Sequence, residues 1–214
     1  MKQSLILSIL IFGLAACTPA QSSEALDVNP LQISTEPVST SQAVSSPPVD
    51  SSEDLLDAFS FLPAPTCNGT LTPTQGEGPY YTPNTPERNS LLEEGMEGEM
   101  LILIGYVLDE NCQPISGARL DFWQADTNGD YDNLGYTLRG NQYTDAQGRY
   151  YLETVLPGLY GSRPIEHIHV KVQAPNGEML TSQLYFPNQP VENLTVSLQE
   201  QTGYWLGIFT FVIR

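Results

Sequence analysis

His167-Ile-His169-Val-Lys171-Val-Gln-Ala174, then Pro175-Asn-Gly177, then Met179-Leu-Thr-Ser-Gln183-Leu-Tyr-Phe186 is the stretch that decides the class of fold. Ile168, Val170 and Val172 alternate with polar residues, the period of a strand with one buried face. The Asn-Gly pair between the two runs is a hairpin signal. Similar short runs flank it on both sides, over 100–108, 118–124, 149–154, 194–198 and 204–213, broken by turn residues about every ten positions. With no competing helical period, the sequence predicts an all-β fold, an antiparallel β-sandwich with an irregular N-terminal loop region. That region, 70–99, is rich in Pro and Gly and is expected to drape over the sandwich, where such loops carry function.

Outward from the sandwich, the chain divides into three parts. Residues 1–17 begin Met-Lys-Gln, continue through an apolar run and end Leu14-Ala-Ala-Cys17, the pattern of a lipoprotein signal peptide and lipobox. Cys17 is then the lipidated N-terminus, and acyl chains there would hold the exported protein on a membrane, with sorting expected to the outer membrane, its periplasmic face or the cell surface. Residues 18–66 are rich in Ser, Thr, Pro and Gln, with seven acidic residues and no Lys or Arg. Such a segment cannot bury enough apolar surface to fold and is expected to be a disordered tether reaching roughly 40 Å. Residues 67–214 form one domain of ordinary size.

The chain carries 8 Lys and Arg against 25 Asp and Glu, a net charge of −17, which argues against nucleic acid as a partner. Of its 3 cysteines, Cys17 takes the lipid, and the even remainder, Cys67 and Cys112, is expected to form a disulfide in an exported protein. No Cys/His zinc spacing, phosphate loop or Gly-x-Ser-x-Gly elbow is present, and Asp126-Thr-Asn-Gly-Asp130 departs from a calcium loop in its glycine and in its twelfth residue, Thr137.

The protein has 2 histidines, and both lie in the opening stretch. Two residues apart on a strand, His167 and His169 project from one face, a natural geometry for two imidazoles on one metal. Imidazole alone suits zinc, copper, nickel or iron. Further ligands must come from elsewhere, and Tyr131 and Tyr160 each follow a turn at a strand end. A phenol ordinarily titrates near 10, so a tyrosinate ligand favours ferric iron.

Motifs along the chain extend this reading. Leu71-Thr-Pro-Thr-Gln-Gly-Glu-Gly-Pro-Tyr80-Tyr81, Asp121-Phe-Trp-Gln-Ala-Asp126, Gly129-Asp-Tyr131, Thr144-Asp-Ala-Gln-Gly-Arg-Tyr150, Pro157-Gly-Leu-Tyr160, Arg163-Pro-Ile-Glu-His167-Ile-His169 and Gln183-Leu-Tyr-Phe186 follow one another over about 115 residues. In this set the chain resembles the intradiol ring-cleavage dioxygenases, the catechol and protocatechuate 3,4-dioxygenase family. The resemblance implies Fe(3+) held by Tyr131, Tyr160, His167 and His169, and a catechol-type aromatic diol opened by O2 to a muconate-type diacid. It further implies that Tyr160 leaves the metal and accepts a substrate proton, that Arg163 and Gln183 line the pocket, and that Tyr80 lies at its rim. The chain departs from the better-known members in two ways. Ile165-Glu166 puts two residues between Arg163-Pro164 and His167 where they have one, and no long helical region precedes the sandwich. The alternative is a non-catalytic, transthyretin-like binding module at the cell surface, since Gly105-Tyr-Val-Leu-Asp, Pro114-Ile-Ser-Gly-Ala118 and Pro157-Gly-Leu-Tyr160 also occur in such sandwiches.

Overall fold

Alternation of side chains on each strand sorts this chain into an apolar interior and a polar outer face. A computed structural model describes residues 58–161 and 163–214. The leader, Cys17 and most of the expected tether lie outside the described residues. Eight strands follow in order: β1 (Met100–Asp109), β2 (Arg119–Trp123), β3 (Arg139–Tyr143), β4 (Arg149–Val155), β5 (His167–Gln173), β6 (Met179–Tyr185), β7 (Ser197–Gln201) and β8 (Tyr204–Ile213). They form two four-stranded sheets, β4-β1-β8-β7 and β3-β2-β5-β6, the sandwich expected from the sequence. Pairing within the sheets is antiparallel except between β1 and β8, which run parallel.

Leu101, Leu103, Leu152 and Phe211 from the first sheet meet Leu120, Phe122, Ile168, Val170 and Leu184 from the second in one core. Each such side chain, fully buried, contributes about 1.5–3 kcal/mol. The outer face of the first sheet carries a second cluster, in which Ala58, Phe59 and Leu62 pack on Ile104, Tyr151 and Leu206. The ordered fold therefore begins at least by residue 58, and the guanidinium of Arg149 sits 4.3 Å over the Phe59 ring. Among the described residues no helix is long and apolar enough to cross a membrane.

β3 is a strand the sequence did not announce. Arg139-Gly-Asn-Gln-Tyr143 has no apolar alternation, yet Arg139, Asn141 and Gln142 are buried. For Arg139 and Asn141 the irregular N-terminal segment explains this, whereas Gln142, on the opposite face, accepts from Tyr151 N of β4. Arg88 N donates to Asn141 O, and Asn141 N to Pro86 O, so the loop covers the strand's free edge and satisfies its backbone. The expected run 194–198 pairs as a strand only from Ser197; Leu194 and Val196 instead bond to Tyr185.

The same segment continues across the outer face of the second sheet. Its bonds run from Gln75 N to Thr181 O, from Ser182 Oγ to Pro73 O and from Gln183 Nε2 to Gly76 O. Its origin is tied down by a Cys67–Cys112 disulfide, with Cα atoms 5.7 Å apart.

Candidate metal centre

Because Ile168 and Val170 face the core, His167 and His169 must face outward, into the space beneath the N-terminal segment. Both are nonetheless buried, 3% and 2% exposed. Register places their neighbours: His167 lies opposite Tyr185 and His169 opposite Gln183 on β6, while Trp123 of β2 lies on the other side of His169. The Trp123 and His169 rings stack at 4.8 Å and 7°. Gly78 passes so close that a Cβ there would sit 3.2 Å from His169 Cε1.

The two Nε2 atoms are 3.1 Å apart. His167 Nδ1 lies 2.7 Å from the carbonyl of Ile165, which accepts its proton and leaves Nε2 with a free lone pair. The two residues Ile165-Glu166 thus supply the backbone group that fixes this tautomer. Burial pulls the His167 pKa below its ordinary value, and the combination of burial with the neighbouring His167 pushes His169 down to about 2. Two neutral imidazoles aimed at one point, with no acid beside them, are what a cation would need.

The tyrosines arrive from two loops that touch. Gly129 (φ +87°) is so close to the other loop that a Cβ would fall 1.9 Å from Leu159 O. Gly158 N donates to Asp126 O, and Asp126 Oδ1 accepts from the amides of Asn128 and Asp130. Tyr131 and Tyr160, one residue or two beyond these contacts, therefore meet edge to face at 5.4 Å. Tyr131 lies 6.3 Å from His169 and Tyr160 6.1 Å from His167, ring centre to ring centre. Tyr80 stacks on Tyr131 at 4.4 Å and meets Tyr160 at 5.5 Å.

Three buried polar atoms here lack a protein partner: Tyr131 Oη, His169 Nδ1 and Trp123 Nε1. A phenol oxygen without a protein partner, beside two imidazoles whose Nε2 atoms converge, fits a metal-ligand set. Among the described residues no group of three or more His, Cys, Asp or Glu could hold a metal, so the donors beside the histidines are phenols. Burial, and then the Tyr160 charge, push the Tyr131 phenol well up. Only a strongly Lewis-acidic ion displaces such a proton at neutral pH, which fits ferric iron and argues against zinc.

Arg163 is held by the turn that begins at Tyr160, its amide donating to the Tyr160 carbonyl. Its Nη2 donates to Gln183 Oε1 at 2.6 Å and to Tyr185 Oη at 3.0 Å, and Tyr185 Oη donates to Gln183 Oε1 at 2.7 Å. Arg139, fully buried, donates to Tyr80 O at 2.6 Å and to Asp132 O at 2.7 Å, fixing the backbone beside Tyr80 and Tyr131. Sequence reasoning placed Tyr80, Tyr131, Tyr160, Arg163, His167, His169 and Gln183 in one site, and the structure brings all seven together. It missed Tyr185, Trp123 and Arg139. Tyr185 could have been found, since it shares a strand face with Gln183 two residues away. A larger groove of about 450 Å³, lined by Thr66, Thr70, Glu192 and Thr210 among others, holds none of these residues. The orphaned donors, rather than the volume, mark the chemistry.

Comparison with known proteins agrees with this geometry. A family model described as "Dioxygenase" matches residues 76–198, more than half of the chain. The dioxygenase domain of a dioxygenase–carbohydrate-binding fusion from Streptomyces sp. SirexAA-E is 43% identical, covering 67% of this chain and 98% of that one, with a TM-score of 0.65. An intradiol ring-cleavage dioxygenase from Tetranychus urticae is 25% identical over 68% of this chain and 95% of its own, with a TM-score of 0.60. Catechol 1,2-dioxygenase from Acinetobacter baylyi is 29% identical over 56% of this chain and 47% of its own length, so the chain spans about half the length of the curated relatives it matches. With the match covering β1 to β6 and every residue of the site, the chain belongs to the intradiol ring-cleavage dioxygenase family.

Proposed function

We propose that this protein is an Fe(III)-dependent intradiol dioxygenase that opens a catechol-type ring between its two hydroxyl-bearing carbons. The observation that carries the reading is the pair of Nε2 atoms 3.1 Å apart, flanked by the orphaned Tyr131 phenol and by Tyr160. Tyr131, Tyr160, His167 and His169 would hold the ion. Bound there, the ion would act as a Lewis acid that draws electron density from the diol and so prepares the ring for O2.

The chain's own groups do the rest. Tyr160, half-buried and near the exposed side of the site, accepts a catechol proton at its phenol oxygen. Arg163 places a fixed positive charge beside the ring, where negative charge develops as the carbon–oxygen bond forms. Gln183 and Tyr185 keep that guanidinium in place, Tyr80 supplies a flat wall, and Trp123 backs the His169 ring. Both oxygen atoms enter the product: catechol plus O2 gives the muconate-type diacid, with no external reductant. Tyr160→Phe is the direct test, with loss of ring cleavage and a changed iron colour expected. Unchanged colour together with unchanged cleavage would refute the assignment.

The N-terminal reading belongs to the same proposal. The protein is exported and held on a membrane through lipid on Cys17, and the Cys67–Cys112 pair supports an oxidising compartment. A fatty-acid analogue should label the wild type and not Cys17→Ala; equal labelling would remove the anchor.

A further inference from the structure

The supply of positive charge is short enough to be traced group by group. The chain has 8 Lys and Arg in all, and one of them, Lys2, lies outside the described residues. Arg88, Arg119, Arg149, Lys171 and Arg214 each sit in an ion pair with a carboxylate, at 2.6 to 3.6 Å. Arg139 is buried and directs its donors to the carbonyls of Tyr80 and Asp132. That leaves Arg163, whose side-chain partners, Gln183 and Tyr185, are both neutral.

Arg163 is therefore the one cation among the described residues whose side chain has neither a carboxylate nor a backbone-carbonyl partner, and it lies at the metal centre. A bound diol already needs it, because charge on the ring and its oxygens develops there. A second anionic group on the ring would find no cation of its own. The surroundings point the same way. The rings of Tyr80, Tyr131 and Tyr160 gather around the centre. A net charge of −17 also sets a field that repels an incoming anion.

We propose that the site takes uncharged catechols and rejects those carrying a ring carboxylate, with Arg163 as the single charge that sets this preference. This rests on the ring-cleavage reading above. An unpaired carboxylate in a site of this kind loses its hydration without gaining a partner, and discrimination on the order of 100-fold follows.

The test uses the full iron-loaded protein with two probes of similar size, 4-methylcatechol and 3,4-dihydroxybenzoate. Binding is read from the shift of the visible iron band, and turnover from kcat/KM, in a salt series from about 0.01 to 0.15 M, over which the screening length falls from ~30 to ~8 Å. The expected result is a kcat/KM and an affinity about 100-fold or more in favour of 4-methylcatechol at low salt, with the gap narrowing as salt rises. Equal or better use of 3,4-dihydroxybenzoate would overturn the proposal while leaving the iron reading intact. A gap equally large against uncharged 3,4-dihydroxybenzamide, which matches the carboxylate in shape, would show shape rather than charge at work and would also overturn it. A protein with no iron band, inert to both probes, would remove the ring-cleavage reading and this inference with it.

Discussion

Replacing Gly129 by alanine separates the backbone conformation of one loop from its approach to the other. Gly129 has φ +87°, and an added Cβ would lie 1.9 Å from Leu159 O and 3.0 Å from Tyr160 Cα. Real Cβ contacts essentially never fall under 3.0 Å, so the carbonyl or the new side chain must move by at least 3.0 − 1.9 = 1.1 Å. That displacement falls between the loops carrying Tyr131 and Tyr160. Gly203 provides the control, with φ +90° and nothing within 4 Å of its added Cβ. Both variants bear the left-handed backbone cost of about 1–2 kcal/mol. Only Gly129→Ala moves a proposed ligand, and a shift of that size costs on the order of 100-fold in rate. Urea unfolding of the iron-free proteins measures the shared backbone cost, while ferric titration and ring-cleavage rate measure the site. Gly203→Ala should lose stability alone; Gly129→Ala should in addition bind iron more weakly and turn over slowly. If the two variants match in iron binding and rate, the loop contact does not set the geometry of the centre.

Three further outcomes are expected. In the iron-free protein His169 is held neutral to about pH 2, while an unfolded imidazole titrates near 6.5, so below ~6.5 the unfolded chain binds a proton the native one does not. Stability should be full above pH ~6.5 and fall by about 2 kcal/mol per such histidine by pH 5; His169→Asn should flatten the slope, and an unchanged slope would contradict the burial. Cys112→Ser opens a crosslink spanning 45 residues and should lower stability by about 4 kcal/mol in the chain-entropy model, read from the urea midpoint, with a loss near zero counting against the disulfide. Arg139→Lys replaces a fork that reaches both Tyr80 O and Asp132 O with a single ammonium, and should cost about 2–3 kcal/mol and speed iron release; wild-type release kinetics would show that Arg139 does not brace the site.

Much of this site was readable because its chemistry is concentrated in rare residues. Two histidines at strand spacing disclose a shared face, and the turns before Tyr131 and Tyr160 disclose loop mouths. What alternation could not disclose was β3, since Arg139 and Asn141 are buried by a loop rather than by a sheet, with partners in that loop over fifty residues earlier, while Gln142 on the other face meets Tyr151 N of β4. Trp123 and Tyr185 were missed for a related reason. Their roles come from cross-strand register, Trp123 against His169 and Tyr185 against His167, and register is fixed by pairing that no local pattern specifies. The disulfide partner could be inferred by counting, whereas the packing of Ala58 and Phe59 on the first sheet depends on an apolar outer face assembled from strands far apart in the chain.

The most direct test of the central claim is an aerobic visible spectrum of the purified protein with metal analysis, recorded before and after adding catechol. One iron per chain, a broad tyrosinate-to-iron charge-transfer band and a shift of that band with catechol are expected. A protein that stays colourless after ferric reconstitution would contradict the claim and leave a sandwich that has kept the fold of its family without its chemistry.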